Sequence, residues 1–350
     1  MKPAPIRIDP IFKPRIWGAR SLAPLFPEKS DLAEPIGEAW LTGVDCRIGC
    51  GPYSGKTLGE AWREMPAERR GSQFAGGCDF PLLLKFIFPK DRLSIQVHPD
   101  DEYASLHEAA AGGRGKTEMW HVVSGDANAQ VLVALKAGVD RAQFLQALDN
   151  GTIESLFQSC PVYAGDTFFL PAGTPHSIGP GMIVCEVQEY SDLTYRLYDY
   201  GRVDGSGKPR ELHLEKALAV MKFGQTCGGK IVPVPLPDES ANRYLLAACR
   251  YFATERWNLG ATAQMQSTPR RFELFVILTG SGYIHSQGPA DSYGSGECWL
   301  IPASLGGFSV QPEQSSAFIR TFVPDLIDLS TELLHLGVNQ GQLERVIFPD

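Results

Sequence analysis

Two segments of this chain occur twice, and this repetition restricts the folds that the sequence can adopt. The segment EMWHVVSG at residues 118–125 matches ELFVILTG at residues 273–280, with Glu and Gly at the same places. The segment GDTFFLPAGTPHSI at residues 165–178 matches GECWLIPASLGGFSV at residues 296–310. Each copy combines short apolar runs with glycine and proline turns, which is typical of β-strands joined by tight connections. We therefore predict two related β-barrels.

The glycine and proline content also favours a fold that is mainly β. The 350 residues include 36 glycines and 26 prolines, which indicates a turn-rich protein and argues against a bundle of helices. A few segments with a helical apolar pattern flank the predicted strands, and Asp140 is placed to cap one of them. These segments cover residues 58–69 with a break at Pro66, residues 100–111, residues 138–157 with a break at Asn150 and Gly151, and residues 212–223. The predicted fold class is mainly β, two barrels with a few flanking helices.

A segment rich in glycine and proline separates the two copies of the repeat. Residues 224–243 contain GQTCGGKIVPVPLPDES, which is the best candidate for a linker. We therefore expect a first barrel with helical insertions in residues 1–223 and a second barrel in residues 244–350.

The second copy of the repeat lacks a histidine that the first copy has. When Pro171 is aligned with Pro302, His176 falls opposite Gly307. The second copy does keep an acidic residue, Glu273, at the place of Glu118. We expect the second barrel to have no complete metal site and to serve a structural role.

Charge and apolar patterning restrict the partners of the protein. The net charge is −8, so the basic surface that nucleic-acid binding requires is missing. The longest apolar run, PLLLKFIFP, is interrupted by Lys85 and is too short to cross a membrane. The first residues, MKPAPIRIDPIF, have no apolar signal core, and the eight cysteines are scattered without a C-x-x-C pair. We predict a cytoplasmic protein with free thiols and neither nucleic-acid nor membrane partners.

Candidate metal ligands lie in and near the stretch from Leu93 to Trp120. Gln96 and His98 alternate with β-prone residues, so a strand would place both side chains on one face. Glu118 follows in GKTEMW, and His176 lies in LPAGTPHSIG. A single histidine on a strand is most often a structural polar residue. Together, however, two imidazoles, a carboxylate and an amide suit zinc or a similar divalent ion, with positions left open for water or substrate.

A second group of polar residues follows His176 in the chain. Glu186, Asp192 and Arg196 are six and four residues apart, so in an extended strand their side chains would share one face. Beside a metal that polarises a carbonyl oxygen, a carboxylate can move a proton between neighbouring carbons, while Arg and Lys stabilise an enediolate or hold a phosphate. The alternative is a solvated face with an ion pair. Four further histidines are expected to lie in the core or on the surface: His107, His121, His213 and His285. Three tyrosines are expected to pack on the opposite side of this strand: Tyr195, Tyr198 and Tyr200.

Several motifs together resemble one protein family. LSIQVHPDDEYA, GKTEMW, PAGTPHSIG and EVQEYSDLTYRLYDYGR resemble the type I mannose-6-phosphate isomerases in their short bacterial form, as do FKPRIWGAR, GEAW and RELHLEKAL. The resemblance covers residues 8–222 and is weak beyond the linker. Q-V-H-P-D-D followed by G-K-T-E-x-W is more restrictive than a general cupin pattern.

The resemblance has specific implications for fold and chemistry. It implies cupin (jelly-roll) barrels and one zinc ion per chain, held by the same four residues: Gln96, His98, Glu118 and His176. It implies reversible conversion of the sugar phosphates mannose 6-phosphate and fructose 6-phosphate, with Arg196 at the reacting centre. The other residues that it places around the pocket are Lys116, Glu186 and Asp192.

One departure from the family pattern leaves alternatives open. Glu189 and Tyr190 stand where the family has small polar residues, and the extra charge could affect phosphate binding. Isomerisation of free mannose or fructose is therefore one alternative, and a non-catalytic, sugar-binding regulatory cupin is another. A metal-dependent oxygenase is disfavoured by the amide ligand and the GKTE motif. The candidates for phosphate binding are Lys116, Arg196, Arg202 and Arg210.

Overall fold

The computed structural model describes residues 2–203, 207–224 and 228–349 of the chain, which are built mainly of short β-strands. The strands up to residue 203 are, in chain order, β1 (Ile6–Ile8), β2 (Ile11–Ala19), β3 (Ile36–Trp40), β4 (Ile48–Cys50), β5 (Leu82–Ile87), β6 (Ile95–Val97), β7 (Glu118–Gly125), β8 (Gln130–Leu135), β9 (Phe157–Pro161), β10 (Thr167–Leu170), β11 (His176–Ile178), β12 (Met182–Glu189) and β13 (Tyr195–Tyr198).

The strands after residue 228 are β14 (Gly229–Ile231), β15 (Val234–Leu236), β16 (Ala241–Cys249), β17 (Ala253–Leu259), β18 (Ala263–Gln266), β19 (Glu273–Thr279), β20 (Ser281–His285), β21 (Asp291–Gly294), β22 (Cys298–Ile301), β23 (Gly307–Pro312), β24 (Ser316–Phe322) and β25 (Ile347–Phe348). The α-helices are α1 (Leu58–Glu64), α2 (Ala67–Arg70), α3 (Asp101–His107), α4 (Arg141–Asp149), α5 (Leu214–Val220), α6 (Leu326–His335) and α7 (Gln340–Leu343). Short 3₁₀ turns cover Pro27–Lys29, Ser72–Phe74, Ala109–Ala111 and Ile153–Leu156. The prediction of a mainly β fold with a few flanking helices is confirmed.

The described strands form four sheets that make up two barrels. In the first barrel, a seven-stranded sheet with the order β14-β10-β7-β12-β5-β3-β2 faces a five-stranded sheet with the order β13-β6-β11-β8-β9. In the second barrel, a nine-stranded sheet contains the path β15-β16-β17-β24-β19-β22-β1-β4 and faces a four-stranded sheet with the order β18-β23-β20-β21. β25 adds to β16 as the ninth strand, in parallel orientation.

The two largest sheets pack against each other through a shared apolar core. In β19, Leu274 and Val276 belong to this core, whereas Phe275 and Ile277 point into the second barrel. Because successive side chains of a strand point to opposite faces, a strand buried on both faces needs apolar residues at almost every position. Because both faces of β19 are buried, the residues between Glu273 and Thr279 are all apolar and do not alternate with polar residues.

The internal repeat corresponds to equivalent strand pairs. In the first barrel β7 pairs with β10, and Glu118 lies opposite Leu170. In the second barrel β19 pairs with β22, and Glu273 lies opposite Ile301. The two copies of the repeat therefore form the same pairing in the same register.

Strands near the predicted domain boundaries connect the two barrels. β1 pairs with β22 and β4, so the first strand of the chain extends the nine-stranded sheet. Within the segment 224–243, β14 pairs with β10 of the first barrel and β15 pairs with β16 of the second. The division into residues 1–223, 224–243 and 244–350 stays a prediction.

The helices begin and end close to the predicted positions. α1 and α2 are separated at Pro66, as expected, and Asp140 caps α4 by accepting a hydrogen bond from Gln143 N. The segment 138–157 forms α4 and a separate 3₁₀ turn at Ile153–Leu156, which confirms the predicted break at Asn150 and Gly151. The second piece ends earlier than expected, because Phe157 already starts β9 beside β8. α6 and α7 near the end of the chain were not predicted from the sequence.

The described helices and cysteines bear on the predictions about membranes and thiols. Among the described helices, none is both long and apolar enough to cross a lipid bilayer. The cysteines in the described ranges are free thiols, as predicted. The cytoplasmic location stays a prediction.

Candidate active site

Three neighbouring strands of the five-stranded sheet carry the centre of the candidate site. Gln96 of β6 lies opposite His176 of β11 on one side and opposite Arg196 of β13 on the other. Residues that are directly opposite each other in paired strands project from the same face of a sheet. His98 follows one residue after the end of β6, and Glu118 starts β7 in the facing sheet. The fold therefore brings together the four residues predicted as metal ligands.

His98, Glu118 and His176 form a compact buried group. One potential ligand atom from each lies within 4.8 Å of the others. Nε2 of His98 is 3.6 Å from Oε2 of Glu118, and Nε2 of His176 is 3.4 Å from Oε1 of the same carboxylate. All three side chains are at most 2% exposed. Both imidazoles thus present the same nitrogen to one carboxylate.

Backbone carbonyls orient the two imidazole rings. Nδ1 of His98 lies 2.7 Å from the carbonyl oxygen of Leu193, and Nδ1 of His176 lies 2.9 Å from that of Thr174. A ring nitrogen beside a carbonyl carries the proton, so the Nε2 lone pair of each ring faces the site. Burial lowers the pKa of both histidines below the ordinary value, which keeps them neutral. Neutral imidazoles with a fixed tautomer are the form that binds metals.

The carboxylate of Glu118 is ionised beside a lysine. Burial alone would raise the pKa of Glu118, but the positive charge and hydrogen bond of Lys116, together with the charge of Lys85, outweigh this effect and lower it. Nζ of Lys116 is 2.9 Å from Oε2 of Glu118. Nε2 of His98 and Oε1 of Glu118 are buried without a hydrogen-bond partner among the described residues. Buried polar atoms are normally satisfied, so this donor set fits a cation that would complete it.

Gln96 lies next to this group but is oriented toward a protein partner. Its Nε2 is 3.3 Å from Nε2 of His176, while its Oε1 accepts a hydrogen bond of 3.3 Å from Ser94 Oγ. Only the amide oxygen can bind a metal, and a half turn of the amide would exchange the two atoms. The assignment of Gln96 as the fourth ligand stays a prediction.

A cavity of about 400 Å³ opens beside the candidate metal group, with Gln96 in its wall. All four residues predicted to act on the substrate line this cavity: Lys116, Glu186, Asp192 and Arg196. Its wall contains five basic and three acidic side chains, the other ionisable ones being Arg15, Glu38, Lys85 and Arg210. A polar cavity with an excess of cations suits an anionic substrate.

Comparison with known proteins shows the family to which this chain belongs. The family model "Phosphomannose isomerase type I, catalytic domain" matches residues 6–118. Mannose-6-phosphate isomerase ManA of Bacillus subtilis is 32% identical over 318 residues, which cover 89% of this chain and 97% of that protein. The chain belongs to the mannose-6-phosphate isomerase family. The predicted family resemblance is therefore confirmed.

Solved structures of mannose-6-phosphate isomerases share the fold described above. A crystal structure of the mannose 6-phosphate isomerase from Bacillus subtilis is 30% identical, with a TM-score of 0.82 over 91% of this chain and 99% of that one. A mannose 6-phosphate isomerase bound with zinc and yttrium is 16% identical, with a TM-score of 0.68 over 91% of this chain and 99% of that one. At that identity the second comparison supports the fold alone.

The prediction that one extended strand carries three residues of the mannose-6-phosphate isomerase site is wrong. Glu186, Asp192 and Arg196 do not share one extended strand, because β12 ends at Glu189 and β13 starts at Tyr195 in the facing sheet. Asp192 lies in the connection between these strands, with a side chain that is 56% exposed. The three residues still meet because the chain crosses from one wall of the cavity to the other. Three aromatic residues pack as predicted in an apolar cluster away from Arg196: Tyr195, Tyr198 and Tyr200.

Glu186 is a buried carboxyl group with an unusual environment. Its Oε1 accepts a hydrogen bond of 3.2 Å from Trp120 Nε1, and its Oε2 lies 3.6 Å from Lys85 Nζ. Burial raises the pKa of Glu186, and the positive charges of Lys116 and Lys85 only partly offset this effect. A carboxyl group of this kind can hold and release a proton closer to neutrality than an exposed one.

Sequence reasoning missed several residues in the wall of the cavity. Lys85 lies 3.3 Å from Asp192 and over the ring of Trp40, and a lysine inside the run PLLLKFIF was the signal for it. Arg15 pairs with Glu38 at 2.8 Å, from the motifs FKPRIWGAR and GEAW. These residues are far apart in sequence and become neighbours only through strand pairing.

Four of the five histidines outside the metal group were predicted to lie in the core or on the surface, and their surroundings differ. His121 is buried and lies 3.1 Å from Thr167 Oγ1, His107 is exposed, and His285 lies 2.9 Å from Gln311 Oε1. These placements confirm the prediction of core or surface positions. His213 is half-buried and contacts the backbone of a residue in the cavity wall.

Proposed function

We propose that this chain is a zinc-dependent aldose–ketose isomerase that interconverts mannose 6-phosphate and fructose 6-phosphate. The observation that carries this proposal is the buried group of His98, Glu118 and His176, whose free ligand atoms meet beside a polar cavity. Membership of the mannose-6-phosphate isomerase family supports the reaction, because the relatives are named for it.

The donor set supports zinc, one ion per chain, as the metal. Two neutral imidazoles and a carboxylate are common zinc ligands, and Gln96 is placed to add an amide oxygen. A relative with the same fold is described as bound with zinc. When bound, zinc would polarise the carbonyl oxygen of the open-chain sugar as a Lewis acid.

The protein residues supply the charge and the proton transfer. Lys116 and Arg196 line the cavity as cations and would stabilise the negative charge of an enediolate. Proton transfer between the two carbons requires a group that can both accept and donate near neutral pH. Glu186 has the raised pKa that this role needs, whereas Asp192 is exposed and paired with Lys85, so we assign the transfer to Glu186.

An arginine cluster at the same cavity supports a phosphorylated substrate. Asp199 accepts hydrogen bonds from Arg202 Nη2 at 2.5 Å and from Arg210 Nε at 2.8 Å, and Arg196 lies near both arginines. Arg202 also pairs with Asp91 at 3.3 Å, but two carboxylates do not neutralise three guanidinium groups, so the cluster retains a positive charge that a phosphate would balance.

The additional acidic residue in EVQEYSD does not oppose phosphate binding. Oε1 of Glu189 accepts a hydrogen bond of 2.6 Å from Thr117 N, and the side chain is 4% exposed. Burial, together with Asp101, raises the pKa of Glu189 to about 8, so the group is mainly neutral at neutral pH. Because it is neutral and lies outside the cavity wall, it does not disfavour the phosphorylated sugar.

Metal content and turnover test this proposal on the purified protein. We expect one zinc per chain, loss of activity after chelation and recovery with Zn²⁺. The catalytic efficiency for mannose 6-phosphate should exceed that for free mannose by at least about a hundredfold, as expected for loss of a charge-assisted phosphate contact. Zinc-loaded protein that binds sugar without turnover would support a regulatory binding protein instead.

Two variants separate metal binding from catalysis. His176→Ala should remove zinc and activity together. Arg196→Ala should keep zinc but lower kcat, because the guanidinium acts on the substrate and lies outside the metal group. Loss of zinc in Arg196→Ala would contradict the assigned roles, and so would a chelated protein that remains fully active.

A further inference from the structure

Arg196 lies on the edge strand of the five-stranded sheet, and a segment outside the sheet completes its hydrogen bonds. β13 pairs with β6, with Arg196 opposite Gln96, and it ends the sheet on that side within the described residues. The other edge of β13 would leave backbone donors and acceptors exposed. Residues 211–213 occupy this position just before α5.

His213 contacts the backbone of Arg196 in both directions. Arg196 N donates a hydrogen bond of 3.2 Å to Nδ1 of His213, and His213 N donates one of 2.8 Å to the carbonyl oxygen of Arg196. The N–H and the C=O of Arg196 therefore point away from β6. Arg196 and Gln96 thus form a non-hydrogen-bonded pair of the antiparallel ladder. In such pairs the side chains come closest together.

The side chain of Arg196 is held from the same segment. Its Nη1 donates a hydrogen bond of 2.8 Å to the carbonyl oxygen of Glu211. Its Nε is buried and makes no hydrogen bond within the part of the chain that the structure describes. One side of the guanidinium is thus fixed by the protein.

The imidazole of His213 is not used by the helix that it precedes. His213 is the N-cap residue of α5, but its side chain makes no capping hydrogen bond to the described residues of that helix. Asp, Asn, Ser or Thr would satisfy the helix better at this position. A histidine whose Nδ1 instead accepts from Arg196 N must carry its proton on Nε2. The ring therefore serves the strand that carries Arg196.

We propose that His213 is a positioning residue for catalysis, which fixes the backbone of Arg196 so that its guanidinium keeps a constant position in the cavity beside Gln96. This inference rests on the proposed isomerase function, in which Arg196 stabilises the enediolate. A displacement of about 1 Å at a reacting centre is enough to lower a rate by about a hundredfold.

Three single variants test the role of His213 in the zinc-loaded enzyme. His213→Ala should lower kcat by about tenfold or more with a small change in KM, because the ground-state contacts of the sugar are retained. His213→Asn should recover most of kcat, since its Oδ1 can accept from Arg196 N as Nδ1 does. His335→Ala, at an exposed histidine of α6, is the matched control and should match the wild type. Zinc content and urea unfolding are measured on each protein.

A double variant distinguishes positioning of Arg196 from a general effect on the fold. In the Arg196→Ala background, His213→Ala should change kcat by less than about twofold, because the side chain to be positioned is absent. The same loss of kcat in both backgrounds would overturn the inference, as would an His213→Asn variant no better than His213→Ala. An inactive zinc-loaded wild type would refute the proposed isomerase function, whereas an active wild type with an equally active His213→Ala would refute only the role of His213.

Discussion

Glu118 and Glu273 occupy the same register position in the two copies of the repeat, opposite Leu170 and Ile301 respectively. Glu118 faces two histidine Nε2 atoms at 3.4 and 3.6 Å. Glu273 instead accepts a hydrogen bond of 2.9 Å from Nε of Arg320. The second barrel therefore places a guanidinium beside Glu273, whereas the equivalent carboxylate of the first barrel faces two imidazoles.

Replacing Arg320 with methionine should destabilise the second barrel. Arg320 also donates a hydrogen bond of 3.2 Å to Glu255, so its removal leaves two buried carboxylates without this partner. Breaking a buried ion pair by removing one member costs about 3 to 5 kcal/mol. We expect a loss of this size in urea unfolding at neutral pH. Arg345→Met, at an exposed arginine near the end of the chain, should change the free energy of unfolding by less than about 0.5 kcal/mol.

The effect of Arg320→Met should decrease at acid pH. Burial alone would raise the pKa of Glu255, but Arg320 and Arg243 lower it below the ordinary value. A lowered pKa stabilises the wild-type fold above the unfolded-state pKa of about 4.3, and this stability is lost as the pH falls through the folded-state pKa. In the variant, Glu255 and Glu273 are buried with less compensating positive charge, so their protonated forms are favoured. Acidification therefore reduces the free-energy cost of burying these two groups. A stability difference that stays constant down to about pH 3 would contradict this account.

The sequence predicted the parts of the site that depend on local pattern. Alternation in LSIQVHP predicted the strand that carries Gln96, and His98 follows directly after its last residue. The repeat predicted related barrels, and its two copies form equivalent strand pairs. The group of His98, Glu118 and His176 followed from residue chemistry together with the family motifs. Strand periodicity and turn residues are local properties, so one sequence is enough to recognise them.

Other parts of the site depend on contacts between distant segments. Glu186 and Arg196 reach the same cavity from facing sheets, which spacing along one strand could not predict. Lys85 finds its carboxylate partner more than a hundred residues away, at Asp192. The contact between His213 and Arg196 requires a helix to return to the edge of a sheet. Such pairings are set by strand register and chain crossing, for which the sequence has no short-range signal.

A tyrosine from the second half of the chain supports the loop that precedes Lys116. Tyr251 donates a hydrogen bond of 2.6 Å to Oδ2 of Asp101, and Oδ1 of Asp101 accepts one of 2.9 Å from Gly115 N. A side chain at position 115 would meet the backbone of Asp100 at 2.5 Å, so the close approach requires glycine. The position of Lys116 therefore depends in part on the second half of the chain.

Tyr251→Phe should loosen this loop while the fold is retained. Loss of one hydrogen bond to a carboxylate should cost about 1.5 to 3 kcal/mol of stability. We expect faster hydrogen exchange at residues 112–117, a lower kcat and unchanged zinc content. Tyr163→Phe removes a hydroxyl from an exposed ring and is the control. Unchanged exchange in Tyr251→Phe would show that the loop is held without this contact.

Lys85→Met should impair catalysis more than folding. Lys85 lies between Glu186 at 3.6 Å and Asp192 at 3.3 Å, and methionine has a similar volume without the charge. Without this cation the two carboxyl groups lose a fixed charge partner, so kcat/KM should fall by at least about tenfold. Steady-state kinetics with zinc analysis test this prediction, and Lys136→Met, at an exposed lysine, is the control. Loss of zinc from Lys85→Met would instead indicate that Lys85 supports the metal group.

His121 should make the fold sensitive to acid. It is 1% exposed and lies 3.1 Å from Thr167 Oγ1, and burial with nearby Arg256 lowers its pKa to about 3. The unfolded chain, with a histidine pKa of about 6.5, binds this proton more readily than the folded chain does. The stability that the neutral form contributes is therefore present above about pH 6.5 and is lost as the pH falls toward 3. At pH 5 the expected loss is about 2 kcal/mol.

The variant His121→Asn isolates this contribution. Asparagine retains a polar group for Thr167 but does not titrate, while His98 and His176 are the same in both proteins and cancel in the comparison. Urea unfolding of the wild type should lose about 2 kcal/mol more than the variant between about pH 8 and pH 5. Parallel stability profiles would mean that His121 is protonated in the folded protein, and the buried neutral imidazole assigned here would be wrong.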